Sequence, residues 1–465
     1  MGELSKRFLQ DINRILPSDC VITERDILTK YSHDETPELK AIPDMAIVPD
    51  NSDQIESVVR LCYEYDVPIT PRGAGTGVAG GAVPINGGVV ISLERLNKII
   101  DIDTRNLIAT VQPGVITGIL QHAVAEENLY YPPDPASVDS CSIGGNVATA
   151  AGGMRAFKYG TTKKSVQGLE VIFPPGKKVN LGGKMIKDVA GYDLIGILTG
   201  SEGTLGIFTQ IMVRLVQLPT FSVDLLAGFD SIDKAIQTAL SIVPDTGVYP
   251  CAMEFMEGDI IQMVETFLDK KIPLSSANSQ LIVSIDGMDE KMVENSYFRV
   301  GEHLLNCGAH DVLVASNRFN SELLWKARRS IREAIRHRSP DIAAEDVAVP
   351  PTRTPELIRG VKKIGDEHNV EIVGFGHIGD GNIHIDMLRN RLSDSQWEQK
   401  KNKVIPEILR LAVQLEGTIT GEHGIGCIKR KYFHLAKNNF VIERMRKIKQ
   451  ALDSKGLLNP GKVFP

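Results

Sequence analysis

The chain has 465 residues, enough for two large domains or about three of ordinary size at roughly 150 residues each. Hydrophobic residues at 42% and charged residues at 24% exclude disordered, collagen-like and coiled-coil classes. Lysine plus arginine total 52 against 58 aspartate plus glutamate, a net charge of -6 that lacks the basic surface of a nucleic-acid binder.

In chain order, residues 1–40 are polar and helix-prone, with Phe8, Ile12 and Ile15 near a helical period. They read as a cap on the first domain. From Pro43 to about Leu215 an α/β pattern follows, with strands at Ala46–Val48, Pro68–Thr70, Val89–Leu93 and Ala109–Gln112 and helices at Gln54–Tyr65 and Thr117–Glu127. Two glycine-dense stretches, Arg72–Gly88 and Ser142–Gly153, hold too many glycines for a helix or strand interior and read as loops. Beyond Leu218 the glycine richness fades. Strands at Ser222–Phe229, Gln280–Ile285 and Asp311–Ala315 then alternate with helices at Ser231–Val243 and Val293–Asn306 and one long charged helix at Glu322–His337, which reads as a second α+β domain. A basic helical tail over Lys431–Lys455 closes the chain. The expected divisions are 1–218, 219–420 and a C-terminal segment, 421–465, returning to the first domain.

The cysteines, Cys20, Cys62, Cys141, Cys251, Cys307 and Cys427, include no Cys-x-x-Cys pair, so no disulfide lattice, iron–sulfur cluster or thiolate zinc site is expected. The first residues lack a signal peptide's apolar stretch, and no apolar run reaches the ~18 residues of a membrane span. A cytoplasmic location and no transmembrane segment are expected.

Gly75-Thr-Gly-Val-Ala-Gly80 matches the dinucleotide fingerprint literally, but the stretch continues as loop into another strand where a Rossmann unit opens a helix. No Gly-Lys-Ser/Thr follows, which excludes a Walker loop. Glycines there let the main chain approach a pyrophosphate with its N–H groups, and a tight surface turn is the competing reading. Ser142–Gly153, with Asn146 and Thr149, and a third small-and-polar segment, Thr199–Gly206, shift the balance toward a long phosphate-bearing cofactor between three loops.

Pro71-Arg-Gly-Ala-Gly-Thr-Gly77, Pro132-Pro-Asp-Pro135, Ser142-Ile-Gly-Gly-Asn146 and Gly200-Ser-Glu-Gly-Thr-Leu-Gly206 resemble the flavin-binding segments of the vanillyl-alcohol-oxidase type FAD domain. The likeness is to its 2-hydroxy-acid dehydrogenase branch, which holds D-lactate and D-2-hydroxyglutarate dehydrogenases and the glycolate oxidase catalytic subunit. It runs from about Pro43 to Pro465. The resemblance implies an α+β chain: a two-part FAD-binding domain, an α+β substrate cap and a C-terminal helical segment. It also implies FAD contacts from Arg72, Gly73, Ala74, Gly75, Thr76, Gly77, Pro135, Ser142, Gly144, Gly145, Asn146, Thr149, Gly153, Glu202, Gly203, Gly206 and Ile207. Covalent relatives carry a flavin-linking histidine in the first loop; this chain has none, so non-covalent FAD is expected.

A second constellation is His377-Ile-Gly-Asp-Gly-Asn382-Ile-His384, followed by Gly421-Glu422-His423-Gly424. Strong turn chemistry puts His377 and His384 on either side of a reversal, and two imidazoles with the Glu422 carboxylate make an open divalent site. The competing reading is ordinary core or surface histidines. The resemblance implies zinc, iron or manganese at these ligands, with His423 as the base. Oxidation of a 2-hydroxy acid then needs a base for the hydroxyl proton and a flavin for the C2 hydride. Asn382 is expected to touch the substrate or hold His423. Trp325-Lys-Ala-Arg328 resembles the family segment that supplies an arginine, which implies Arg328 as the clamp on the substrate carboxylate; the alternative is a solvated helix face beside Lys326, Arg329 and Arg332. The stretch Ala343–Pro351 resembles the family's Asp-Val-x-Val-Pro element but carries Ala343 and Ala344 where the resemblance implies a lysine on a distal carboxylate, which favours a small monocarboxylate such as lactate or glycolate, with D-lactate the expected substrate. No cluster, haem motif or membrane segment is present to carry electrons on, so the expected acceptor is external: an electron-transferring flavoprotein, an iron–sulfur subunit or a quinone. The rival readings are an FAD-binding scaffold subunit with a degenerate site and a flavoenzyme without net oxidation, like the ether-lipid synthases.

Overall fold

The computed structural model describes residues 4–315 and 318–465. They form two compact units: 4–152 with 160–218 and 422–465, and 153–159 with 219–421. Among the described residues no helix is long and apolar enough to cross a membrane.

The first unit opens with the helix Lys6–Ile15, whose cap Ser5 accepts from the Phe8 N–H at 3.1 Å. Phe8 and Ile12, one turn apart, are fully buried, at about 1.5–3 kcal/mol each. Ile15, expected on the same stripe, is 39% exposed. The helix ends there, and the extended Leu16 turns inward in its place. A four-stranded sheet follows in the order Val21–Ile22, Met45–Ile47, Val89–Ser92, Ile69–Arg72, its last three strands parallel. The parallel arrangement stops there. Ile99–Asp103, Ile108–Val111, Ile207–Arg214, Val166–Phe173 and Lys177–Gly182 form a separate antiparallel sheet, and Leu129–Tyr130 pairs with Val216–Gln217, so the single α/β pattern resolves into two main sheets and a two-stranded pair.

The glycine-dense stretch 142–153 is not all loop. Ile143–Thr149 is a helix, capped by Ser142. Its glycines serve packing: a β-carbon on Gly144 would lie 2.6 Å from Pro113 Cβ, so only glycine lets the helix start against that proline. Arg72–Gly88 is irregular beyond Arg72, as expected.

The second unit is one seven-stranded antiparallel sheet, in the order Asp311–Ala315, Phe221–Phe229, Ser279–Gly287, Ala252–Glu257, Glu371–His377, Asn382–Leu388, Ile342–Ala348. Four of these strands, 252–257, 371–377, 382–388 and 342–348, lie outside the strands expected from the sequence. Successive strand residues face opposite sides, so pairing sorts the side chains. Phe255, Leu281, Val283, Ile383, Ile385 and Met387 point one way and are buried. Glu254, His377, Asn382, His384, Asp386 and Asp346 point the other, and are buried too. The expected long charged helix is two, Arg318–Arg329 and Ile331–Arg338, with Ser330 between them. The Asp224 carboxylate anchors the first by accepting from Trp325 Nε1 at 3.0 Å. Residues 153–159 join this unit through Lys158 and Tyr159 on the buried Asp286 and Phe157 stacked on Tyr249.

Candidate active site

In the first unit the three small-residue segments are tied together by their backbones. The Ser142 hydroxyl accepts from the Ala74 N–H and the Gly145 N–H, both at 3.3 Å, joining the first segment to the second. A β-carbon on Gly73 would lie 2.4 Å from that hydroxyl, so the junction requires glycine. The Gly200 N–H donates to Val147 O at 2.9 Å and the Glu202 N–H to Ala148 O at 2.7 Å, joining the third to the second. Gly203 lies beside Pro71, which closes the ring. Such convergence of small residues, whose main chain is open to close approach, suits a pyrophosphate, and the residues present fit FAD.

Other members of the expected set have structural work. The buried Arg72 donates Nη1 to His33 O at 2.6 Å and packs beneath Gly75; burial lowers its pKa, and Asp34 partly offsets this. Thr76 is half-buried and Gly77 exposed, with Gly77 O accepting from Glu35 N–H. Asn146 donates to Thr117 Oγ1 at 2.7 Å, and Thr149 to Gly145 O. Pro135 is half-buried after the buried run 131–134, and Gly153 falls in the second unit. Gly206 packs on Val171, and the Ile207 side chain is committed to the core. Glu202 differs most from its expected role. Its two carboxylate oxygens accept the Ile425 and Gly426 N–H groups at 2.8 and 2.7 Å, so it braces the turn that follows His423. Burial raises its pKa, and those two N–H groups and Lys462 pull it back.

In the second unit the strands Glu371–His377 and Asn382–Leu388 pair His377 with Asn382 and Phe375 with His384. The two histidines are therefore diagonal neighbours on one face, with ring centroids 5.5 Å apart and ring nitrogens within 4.8 Å. Glu254, opposite His377 on the next strand, holds His377 Nδ1 at 2.7 Å. A carboxylate on one ring nitrogen is the carboxylate–histidine arrangement of metal centres, and the donor set fits a divalent ion. Arg328 is no solvated residue: it is buried, donates Nε to the same Glu254 at 2.7 Å and lies 5.1 Å over the Phe375 ring.

Asn382 has a bracing part in the sheet. Its amide donates to Asp346 Oδ1 at 2.6 Å and Val347 O at 3.0 Å, so it braces adjoining strands. Asp346 in turn accepts from Thr420 Oγ1 at 2.9 Å and the Gly421 N–H at 2.8 Å. The chain is thus fixed just before Glu422 by Asp346 and just after His423 by Glu202. Glu422, within the first unit, rests against Gly152, where a β-carbon would lie 2.6 Å from Oε2.

Residues 218–463 match the family model of FAD linked oxidases, C-terminal domain, and 43–182 that of an FAD binding domain. The chain belongs to the FAD-linked oxidase family. The glycolate oxidase subunit GlcD of Bacillus subtilis (strain 168) is 38% identical over 434 residues, covering 93% of this chain and 92% of that one. D-lactate dehydrogenase of Anaerostipes hadrus is 33% identical over 471 residues, covering 99% and 98%. A crystal structure of p-cresol methylhydroxylase with substrate bound superposes with a TM-score of 0.81 at 17% identity, covering 98% and 96%, which shows the shared fold. This FAD-linked oxidase is an FAD-dependent oxidoreductase of the D-lactate, glycolate and 2-hydroxyglutarate dehydrogenase type.

The sequence reading missed Glu254, Asp346 and Asp386 in this FAD-linked oxidase. Asp386 carried a signal: Asn382-Ile-His384-Ile-Asp386-Met alternates polar and apolar with a strand's period of two. Glu254 carried none, lying 123 residues before His377.

Proposed function

We propose that this chain oxidises a small D-2-hydroxy acid, D-lactate to pyruvate, and passes the electrons to an external acceptor, an electron-transferring flavoprotein. The observation that carries the reading is the His377–His384 pair with Glu254 on His377 Nδ1. When bound, non-covalent FAD supplies the hydride acceptor, and a divalent ion at His377, His384 and Glu422 supplies Lewis acidity at the substrate hydroxyl.

Neutral His423 accepts the hydroxyl proton, and the C2 hydrogen departs with its electron pair as the carbonyl forms. Arg328, engaged by Glu254 through Nε and Nη2, offers Nη1 to the substrate carboxylate. Glu254 thereby orients a metal-ligating histidine and the clamp together. Gly73 to Gly77 and Ser142 to Asn146 hold the pyrophosphate.

The test is an anaerobic spectral titration of the metal-replete flavoprotein with D-lactate, L-lactate, glycolate and D-2-hydroxyglutarate separately. D-lactate is expected to bleach the oxidised flavin band. A flavin that none of the acids bleaches would leave the scaffold or non-oxidative reading in its place.

A further inference from the structure

Beyond the histidine pair, the same sheet face carries a second charged couple. His384 is followed two residues later by Asp386, about 7 Å further along the strand on the same side. Asp386 is fully buried, and Arg332 Nη1 lies 3.3 Å from its Oδ1. Arg332 is four residues beyond Arg328, across the break at Ser330, and keeps 28% of its side chain exposed. Both guanidiniums lie over the Phe375 ring, at 5.1 and 5.8 Å, and that ring is 5.1 Å from His384. Ala344 sits directly opposite Asp386 on the neighbouring strand, so the space beside the carboxylate is lined by a methyl group.

Resting on the 2-hydroxy-acid reading, we infer that the Arg332–Asp386 pair reads the part of the substrate beyond C2 and excludes acids with a second carboxylate. An acid held by its C1 carboxylate and C2 hydroxyl at Arg328 and the histidines sends its tail along the face toward Arg332. Arg332 alone would welcome a distal carboxylate, whether or not a lysine stands at Ala343 or Ala344. Asp386 cancels that attraction, because its negative charge lies 3.3 Å from the guanidinium and faces the second carboxylate. A short neutral tail meets neither penalty. Asp386 acts through Arg332 and is a positioning residue.

Two single variants of the FAD- and metal-loaded chain separate this from a loss of structure. Asp386→Asn removes the negative charge beside Arg332, and kcat/KM for D-2-hydroxyglutarate relative to D-lactate is expected to rise about tenfold or more; Arg332→Gln removes the positive charge beside Asp386, and the same ratio is expected to fall by a similar factor. The dissociation constants of 2-oxoglutarate and pyruvate, read from flavin spectral perturbation, are expected to shift in the same opposite senses. General damage cannot move the ratio in both directions. If both variants change mono- and dicarboxylates by one common factor, the inference is overturned. If the wild type oxidises no 2-hydroxy acid, the proposed function falls instead, and opposite shifts in keto-acid binding would still establish the charge gate.

Discussion

The two units build their halves of the chemistry from different materials. The first works with main chain: glycines at 73, 75 and 145, the Ser142 hydroxyl between two of its segments, and backbone bonds from Gly200 and Glu202 to the helix Ile143–Thr149. The second works with side chains, a row of buried polar groups on one face of an antiparallel sheet. Backbone recognition tolerates any residue small enough to allow approach, so it tends to survive single side-chain changes. Side-chain recognition in a buried setting leaves a charge or donor unpaired when any one member is lost. The two units should therefore fail differently under mutation.

The largest effect is expected between the two anchors, at His423. His423→Ala should retain FAD and metal while flavin reduction by substrate slows about 10²–10⁴-fold, the usual contribution of a general base. Single-turnover bleaching measures this directly, and a wild-type rate would remove the assigned role. His384→Ala should instead lose the metal, measured as bound metal per chain after gel filtration.

A partner remote in sequence should matter nearly as much. Glu254→Gln removes the charged acceptor of both His377 and Arg328, and metal affinity is expected to fall about 10–100-fold, as for other groups that orient a ligating histidine. It also leaves a buried guanidinium without its counter-charge, at a cost of roughly 3–5 kcal/mol in stability. Metal competition against a chromophoric chelator, paired with chemical unfolding, checks both; unchanged metal affinity with lowered stability would reduce Glu254 to a structural ion pair.

This contrast also explains what was legible in the sequence. Glycine-dense runs announce themselves locally, so the three segments of the first unit were visible, although the helical character of 143–149 was not, because its glycines are there for close packing on Pro113 rather than for a turn. His377 and His384 were visible because their turn lies between them in sequence. Glu254, Asp346 and the bracing roles of Asn382 and Glu202 are long-range pairings across strands or to the C-terminal segment, which local pattern does not encode. Asp386 falls between these cases: its alternation was readable, its partner Arg332 was not.

In the first unit the expected losses are smaller. Ser142→Ala removes a helix cap and the bridge to Ala74, about 1 kcal/mol by the usual cost of a cap, so FAD should bind about fivefold more weakly. Fluorescence titration of the apoprotein with FAD measures it. An affinity loss of a hundredfold or more would mean that the first unit, too, depends on individual side chains.

The smallest effect tests Glu202, a carboxylate of the first unit that works through its side chain. Burial raises the Glu202 pKa above its ordinary 4.5, with the N–H groups of Ile425 and Gly426 only partly opposing it. Above pH 4.5 the native chain therefore keeps a proton that the unfolded chain has released, and stability falls as pH rises until the native group has also ionised. Glu202→Gln keeps one acceptor oxygen for the turn and cannot ionise, so it should be free of this slope. The Tm advantage of wild type over Glu202→Gln is expected to shrink as pH rises from 4.5 toward 7. A difference that stays constant across that range would mean the carboxyl is already ionised throughout, held by the two N–H groups, and that the brace behind His423 is electrostatic at every working pH.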